Sequence, residues 1–565
     1  MKFFEEFIYK ILGKRSKRFL VLLLTFLAFV GSIMMLPTKI VKAKMLPGKS
    51  ANTFSVYIDA PTGSSIEETQ AISECVVNIL KNEKEITDME VFLGQGAPLD
   101  YAGLVKGSSF KMTENVAEIV VNLTDKHHRE EKSYDMVHRL RPIIQSKCEP
   151  LKKGTSIKLI EQPAGPPTLA SIVVELYGKD IEKSRHLADR IAKILKNTEG
   201  LVDIDIMEDE YFTRYKLKVN KDKLLKSALS IKQINNILYL AFEGMVVAAK
   251  NSEDSPDQIP IFLVLSDETK RLEHFSKKDL ISKLSSLRLM NQKGMLVPVS
   301  EVVEVIETKN SPTIMHKDLR RMINIIAETD KVSQVYPLLE ARDTMLKELS
   351  DEYKVEKVPG MSTYMFDLTA TDKKTGEKYL IRWDGEMKVT LDTFRDLGGA
   401  FIAALILIFL LMVVYYKSFT LSGIVLLGSF LSIIGVIVGH WLMDVFTKDT
   451  FFLTATSLIG FISLMGISSR NSLLLIDFAK ALMEKKGFDK QRAIAVASAT
   501  RAKPIFLTAA AIILASTLLA TDPIFGGLGV ALIFGTVAAV IVSLIFVPVL
   551  MYNAKAMDFT HQEEK

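Results

Sequence analysis

Arg470 lies near the middle of an apolar stretch running from Phe451 to Ala479. An arginine in hydrocarbon costs at least ~2.5 to 3.5 kcal/mol, so such a residue reads as part of an ion pathway or as a buried counter-charge facing the bundle interior. Asp477, seven residues on, shares its helical face but lies roughly 10 Å further along the axis, within reach only of a stretched side chain. No other acid in the chain is evidently placed at that depth. A cation that lacks its anion predicts one half of an assembly whose carboxylates sit in another polypeptide. Guanidinium stays charged and can grip a carboxylate with two hydrogen bonds, so Arg470 is expected to act as a switching counter-ion and not as a proton carrier. The structural alternative is a fixed ion pair that holds two half-bundles together.

Other chemically capable side chains give weaker signals. His127, His128 and His138 are not spaced as a closed metal site, and Glu130, Glu131 and Lys132 beside them suggest a solvated helix start. Met361 and Met365, four apart, are expected to pack. Cys75 and Cys148 are the two cysteines of the chain and fall on successive predicted helices; their depth along those helices is open, and so is a disulfide. His440, beside Trp441, reads as an interfacial residue, and Gly435 and Gly439 as a close-packing G-x-x-x-G pair. A phosphate-binding loop, an H-E-x-x-H helix and a nucleophile elbow are all missing, so neither an enzyme nor a cofactor is expected.

The elements that must position these residues emerge from hydropathy. The 565 residues are 48% hydrophobic and 24% charged, with a mean hydropathy of +0.21, too polar for spans alone. Residues 45–393 are mixed and charge-rich, whereas 394–552 consist mainly of long apolar runs. Measured against the ~20 residues needed to cross a bilayer, six spans are predicted: Phe19–Leu36, Leu397–Tyr416, Phe419–Met443, Phe451–Ala479, Ile505–Ala520 and Leu528–Tyr552. Pro504 and Asp522 are taken as the borders of the fifth. Lys10, Lys14, Arg15, Lys17 and Arg18 precede the first span, Lys417 follows the second, and seven Lys and Arg residues from Lys480 to Lys503 follow the fourth. The positive-inside rule places these segments and both termini in the cytoplasm, with residues 37 to about 393 on the other side. The first span, without a small-x-small cleavage site after it, is read as a retained anchor.

The extracytoplasmic region repeats a pattern. Phe54–Asp59, Asp88–Leu93 and Val116–Leu123 alternate as strands around helical stretches at Ser65–Lys81 and Tyr134–Lys147. A second unit opens with Ser171–Tyr177, Ile181–Leu195 and Val202–Met207, adds Tyr215–Val219 as a further strand, and resumes at Met322–Ala327 and Val335–Leu349. Between Lys221 and Glu307 the periodicity changes, which reads as an insertion. The economical fold is two split βαβ sandwiches.

Several stretches, in this order, resemble one family: KMLPGKSANTFSVYIDAPTGSSIEET, EQPAGPPTLASIVVELYG, GISSRNSLLLIDFAK, and RAKPIFLTAAAIILAS leading into DPIFGGLGVALIFGTVAAVIVSLIFVPVLMY. Together with the layout of one span, a large wet domain and five spans, they are similar to the C-terminal half of resistance-nodulation-division (RND) efflux transporters. The resemblance implies an α+β membrane protein of the bacterial inner membrane: a six-helix bundle plus a periplasmic porter domain of two split βαβ (ferredoxin-like) sandwiches with an inserted docking subdomain. The expected divisions are 1–44 with the first span, 45–165 as the first porter subdomain, 166–220 and 308–393 as the second, 221–307 as the insertion, and 394–565 for the remaining spans.

By the same resemblance Arg470 and Asn471 stand where the family usually has lysine and asparagine. Thr508 matches its relay threonine and Arg501 a nearby arginine, with Asp477 secondary. The paired proton-accepting aspartates belong to the other half. Leu99, Tyr101 and Phe110, in and beside the Gly-rich segment 94–107, fall where the family lines its substrate path. Implied partners are an N-terminal-half RND polypeptide carrying those aspartates, a periplasmic adaptor and an outer-membrane channel, in a trimer of two-chain protomers within membrane lipid and without nucleic acid. The expected activity is proton-driven efflux of hydrophobic or amphiphilic compounds. The alternatives are a lipid-transport or protein-export accessory of the same superfamily, and a stand-alone homo-oligomer, which the missing acid disfavours.

Overall fold

The computed structural model describes residues 2–558 apart from 99–100, 163, 166, 209–210, 254–255, 271–275, 311, 360–365 and 448–449, and apart from the side chains of Tyr101, Ala102 and Asp267. Leu99, Met361 and Met365 thus lie outside the described residues. Backbone contacts divide the chain into two units, Met1–Met207 with Ile314–Lys565, and Glu208–Thr313.

Within the larger unit the first sandwich begins with the strand Thr53–Asp59, which buries Phe54, Val56 and Ile58 at period two and so presents one apolar face. The strands stand in the order Ile86–Leu93, Val116–Leu123, Thr53–Asp59, Ser156–Glu161, all antiparallel. Helices Ile66–Leu80 and Ser133–Cys148 cover the apolar face with Ile72, Val76, Leu80, Met136, Leu140 and Ile144. Ser65 starts the first of these helices by a reciprocal capping box with Glu68. Cys75 and Cys148 face each other with Cα atoms 5.8 Å apart and form a disulfide, which closes the question left by the sequence.

The second sandwich repeats the order. Leu201–Met207, Arg320–Thr329, Ile172–Tyr177 and Lys378–Asp384 are neighbours in that sequence, and Leu368–Asp372 and Tyr353–Lys357 extend the sheet beyond them. In both sheets the second and third strands of the repeat, in chain order, lie side by side and are joined by a long connection. In the first sandwich that connection is 94–115; in the second it contains the whole smaller unit.

The smaller unit has its own core, built on Leu224, Ile234, Leu284, Val299 and Val302. Thr213–Val219 pairs with Val303–Lys309 inside this unit, which corrects the expectation that Tyr215–Val219 belongs to the second sandwich. Alternation marks a strand but carries no information on its partner, and here the partner is supplied from 84 to 96 residues downstream.

Among the described residues, six helices are long and apolar enough to span a membrane: Arg15–Met34, Glu386–Tyr416, Phe419–Phe446, Ala455–Lys486, Lys490–Ala520 and Gly526–Asn553. The third is broken near Leu431, where Ser429 and Ser432 turn their hydroxyls onto backbone carbonyls. Pro504 does not border the fifth span but sits inside the helix Lys490–Ala520. Helices tolerate proline in such a span because neighbouring groups can satisfy the freed carbonyls.

The fourth and sixth spans form the centre of the bundle and the third packs on the sixth. A Cβ on Gly435 would come within 2.2 Å of the Phe534 carbonyl oxygen, and one on Gly439 within 2.5 Å of the Phe534 Cβ. These glycines are therefore the contact surface. That close approach carries His440 inward. It is fully buried, with Nδ1 2.7 Å from the Val436 carbonyl and Nε2 2.8 Å from Ser457 Oγ, so the expectation of an interfacial histidine is corrected.

Candidate functional site

The fourth span, Ala455–Lys486, has two unlike faces. Ser468, Asn471, Ser472, Leu475 and Ile476 are buried in the bundle. Ile459, Ser463, Gly466, Arg470 and Leu474 form an exposed stripe at spacings of four, three, four and four residues. Arg470 is on that stripe and makes no hydrogen bond or ion pair among the described residues. The expectation that it faces the interior of this bundle is not met, since its side chain points outward from the six helices. The interior is filled by apolar and hydroxyl side chains, and among the described residues no carboxylate lies within ion-pairing distance of Arg470.

The other expected residues are positioned separately. Asn471 is buried on the neighbouring face. Thr508 is exposed on the fifth span and donates back to the carbonyls of Pro504 and Ile505 at 3.1 and 3.0 Å. One of the two is the carbonyl of the mid-helix proline. Arg501 sits 5.0 Å above the Phe478 ring of the fourth span, which ties the two helices together, and its buried Nε has no hydrogen-bond partner among the described residues. Asp477 accepts a 3.0 Å hydrogen bond from Tyr415 of the second span and forms no ion pair with Arg470. Contact between Arg470 and the groups at 501, 508 and 477 is therefore not made within this chain.

In the first sandwich the connection 94–115 holds a short helix, Tyr101–Lys106, and a turn at Ser108–Phe110. Phe110 is 69% exposed. Gly96 passes so close to the Ser108 carbonyl that a Cβ would stand 2.1 Å from its oxygen, which folds the segment back on itself. Leu99 and the side chain of Tyr101 lie outside what is described. His138 is bonded to Asp330 at 2.6 Å.

Two features escaped the sequence reading. One is the hydroxyl chain at His440, where Ser457, Thr454 and Thr456 are linked at 2.9 and 2.8 Å. Its signal was the TATS segment opening the fourth span. The other is a set of buried charges between the sandwiches. Its signal was VDIDIM, which puts Asp203 and Asp205 on one face of a strand.

Six apolar helices among the described residues and two α/β sheets of like order give the fold of a polytopic membrane protein with a large α/β region. A sequence profile of the AcrB/AcrD/AcrF family matches residues 2–555. The chain belongs to that family, the RND permeases. It is 23% identical over 556 residues to the swarming motility protein SwrC of Bacillus subtilis strain 168, covering 94% of this chain and 45% of SwrC. It is 24% identical over 556 residues to the multidrug export protein AcrF of Escherichia coli K12, covering 96% of this chain and 48% of AcrF. The crystal structure of a heavy metal efflux pump superposes with a TM-score of 0.71 at 16% identity, covering 97% of this chain and 52% of the pump. The chain thus spans about half the length of the relatives it matches.

Proposed function

We propose that this chain is the C-terminal-half component of a proton-motive-force-driven RND efflux transporter, and that it works with a complementary half that carries the proton-accepting carboxylates. The observation that carries this reading is Arg470, at mid-span, exposed on the surface of its bundle and unpaired among the described residues. An arginine in lipid is costly, so the exposed stripe of the fourth span fits a protein partner better than hydrocarbon. Protonation of a facing carboxylate would release Arg470 and deprotonation would recapture it. The guanidinium never loses its own proton, so it acts as the switched counter-charge. An electrical gradient supplies about 2.3 kcal/mol per charge per 100 mV for such a step.

In this reading the two sheets are porter subdomains and Glu208–Thr313 is the docking insertion. The wet region lies outside the cytoplasm, in the periplasm of a bacterium whose inner membrane holds the spans. The disulfide supports that side of the membrane, because such bonds persist in oxidising compartments. Asn471, Thr508 and Arg501 complete the relay with Asp477 at its margin; Leu99, Tyr101 and Phe110 line the path of hydrophobic or amphiphilic cargo. A periplasmic adaptor, an outer-membrane channel and a threefold arrangement of two-chain protomers complete the machine.

Purification of the chain from its native membrane in mild detergent tests the reading. The expected result is a complex with a second six-span moiety bearing intramembrane aspartates, separate or fused. A chain that purifies only with copies of itself, and still exports, would contradict it.

A further inference from the structure

Between the first span and the first sandwich the chain passes as a strap, residues 39–46, beside the start of the fourth span. Lys44 N donates to the Leu453 carbonyl at 3.1 Å and Leu453 N to the Lys42 carbonyl at 2.8 Å, so Ala43 and Leu453 pair as in a parallel ladder. Two residues on, Ala455 N donates to the Met45 carbonyl at 3.1 Å. Ala455 is the first residue of the helix that bears Arg470, and a helix leaves its first N–H groups without partners of its own. The strap therefore caps the fourth span. Val41 and Met45 of the strap are buried, as are Phe452 and Leu453 of the lead-in to the span, and shielding from water strengthens the bonds between them.

The other edge of the strap meets the second sandwich. The bonds to Leu453 are made by Lys42 and Lys44, so the N–H of Ala43 points to the opposite side, where the Tyr336 hydroxyl accepts it at 2.9 Å. Tyr336 stands in the first turn of the helix Val335–Glu348, which sets Leu338, Ala341 and Met345 into the core of the second sandwich. Its ring also carries the Lys39 ammonium at 5.5 Å. Gln334, at the start of the same helix, is fully buried and donates to Thr390 in the second span's helix at 2.7 Å. Lys44 lies 5.7 Å from the Phe452 ring centre and in the field of Glu161 and Glu386, at the seam where Arg141 of the first sandwich binds Asp203 of the second at 3.3 Å.

We propose that the strap moves with the fourth span as one piece, and that Tyr336 is the positioning residue through which this movement reaches the second sandwich. The inference rests on the reading of Arg470 as a switched counter-charge. The helix is unbroken from Ala455 to Lys486 and contains no proline, unlike the fifth span, so a shift at Arg470 is carried to the capped end. There, three backbone bonds join the strap to the span, against the Tyr336 hydroxyl on the sandwich side. A displaced span thus takes the strap along and loads the Tyr336 contact first.

The test uses the full chain with its complementary half in vesicles under an imposed pH gradient, and the full chain in lipid nanodiscs. Tyr336→Phe removes the hydroxyl and keeps the ring beneath Lys39. It should leave downhill substrate exchange intact and lower gradient-driven accumulation about three- to tenfold, the weight of one hydrogen bond. A tie that only holds the fold together would lower both alike. A disulfide between Ala43→Cys and Leu453→Cys, feasible because paired strands stand ~4.8 Å apart, should leave accumulation as it is in the unbridged double variant; the native cysteines are already bonded to each other. In nanodiscs, amide exchange in Tyr336→Phe should rise at Ala43 and stay slow at Lys44, Leu453 and Ala455, a reading of the strap's attachment that needs no transport. Full accumulation by Tyr336→Phe, equal loss of exchange and accumulation, a bridge that stops export, or amide exchange that rises as much at Lys44 and Leu453 as at Ala43 would each overturn this proposal alone. An unsubstituted assembly without gradient-driven export would overturn the half-transporter reading, and this proposal with it.

Discussion

Arg470 is an exposed charge with no partner among the described residues of its bundle, and its removal should therefore spare folding and abolish coupling. Arg470→Ala is expected to insert at normal levels and to export at the rate of empty vesicles, as read by substrate efflux against membrane content. Normal efflux by that variant would remove the counter-ion role. Its place as an ionised group within an apolar run was legible from the sequence. Its direction was not. The fourth span is apolar almost all round, so no hydrophobic face marks which side meets the other helices. His440 was misread for the same reason, since a lone histidine near the end of a span gives no hint that Ser457 waits inside to receive it.

At the scale of elements, close packing and covalent closure give two checks. Gly435→Leu must displace Phe534, whose carbonyl would lie 2.2 Å from the new Cβ. Overpacking of this kind costs about 1 to 3 kcal/mol, so the variant should unfold from the bundle at lower temperature in detergent while Gly31→Leu, which meets nothing within 4 Å, should not. The Cys75–Cys148 bond closes a loop of 73 residues, worth about 4 kcal/mol by chain entropy. Cys148→Ser should leave the spans intact and make the first sandwich cleavable by protease at temperatures where the parent resists. Strands such as Thr53–Asp59 were readable because period two is a local signal. The pairing of Thr213–Val219 was not, because partner choice depends on residues far along the chain. Pro504 was taken for a boundary because proline usually ends a helix in water, whereas a packed span can absorb it.

Across the whole molecule, the matching strand orders of the two sheets describe a duplicated α/β plan carried by a six-helix bundle. The division into wet and apolar regions followed from hydropathy alone, and the family from the order of a few motifs. The charged junction between the sheets did not, because it joins residues from 44 to 386 that no local pattern connects. In the proposed function this chain supplies a counter-charge and depends on carboxylates from a complementary half. The direct measurement is substrate movement into vesicles with an imposed pH gradient, made with the purified 565-residue chain alone and again with the aspartate-bearing half restored. Gradient-coupled transport is expected in the second case only. Coupled transport by the chain alone would contradict it.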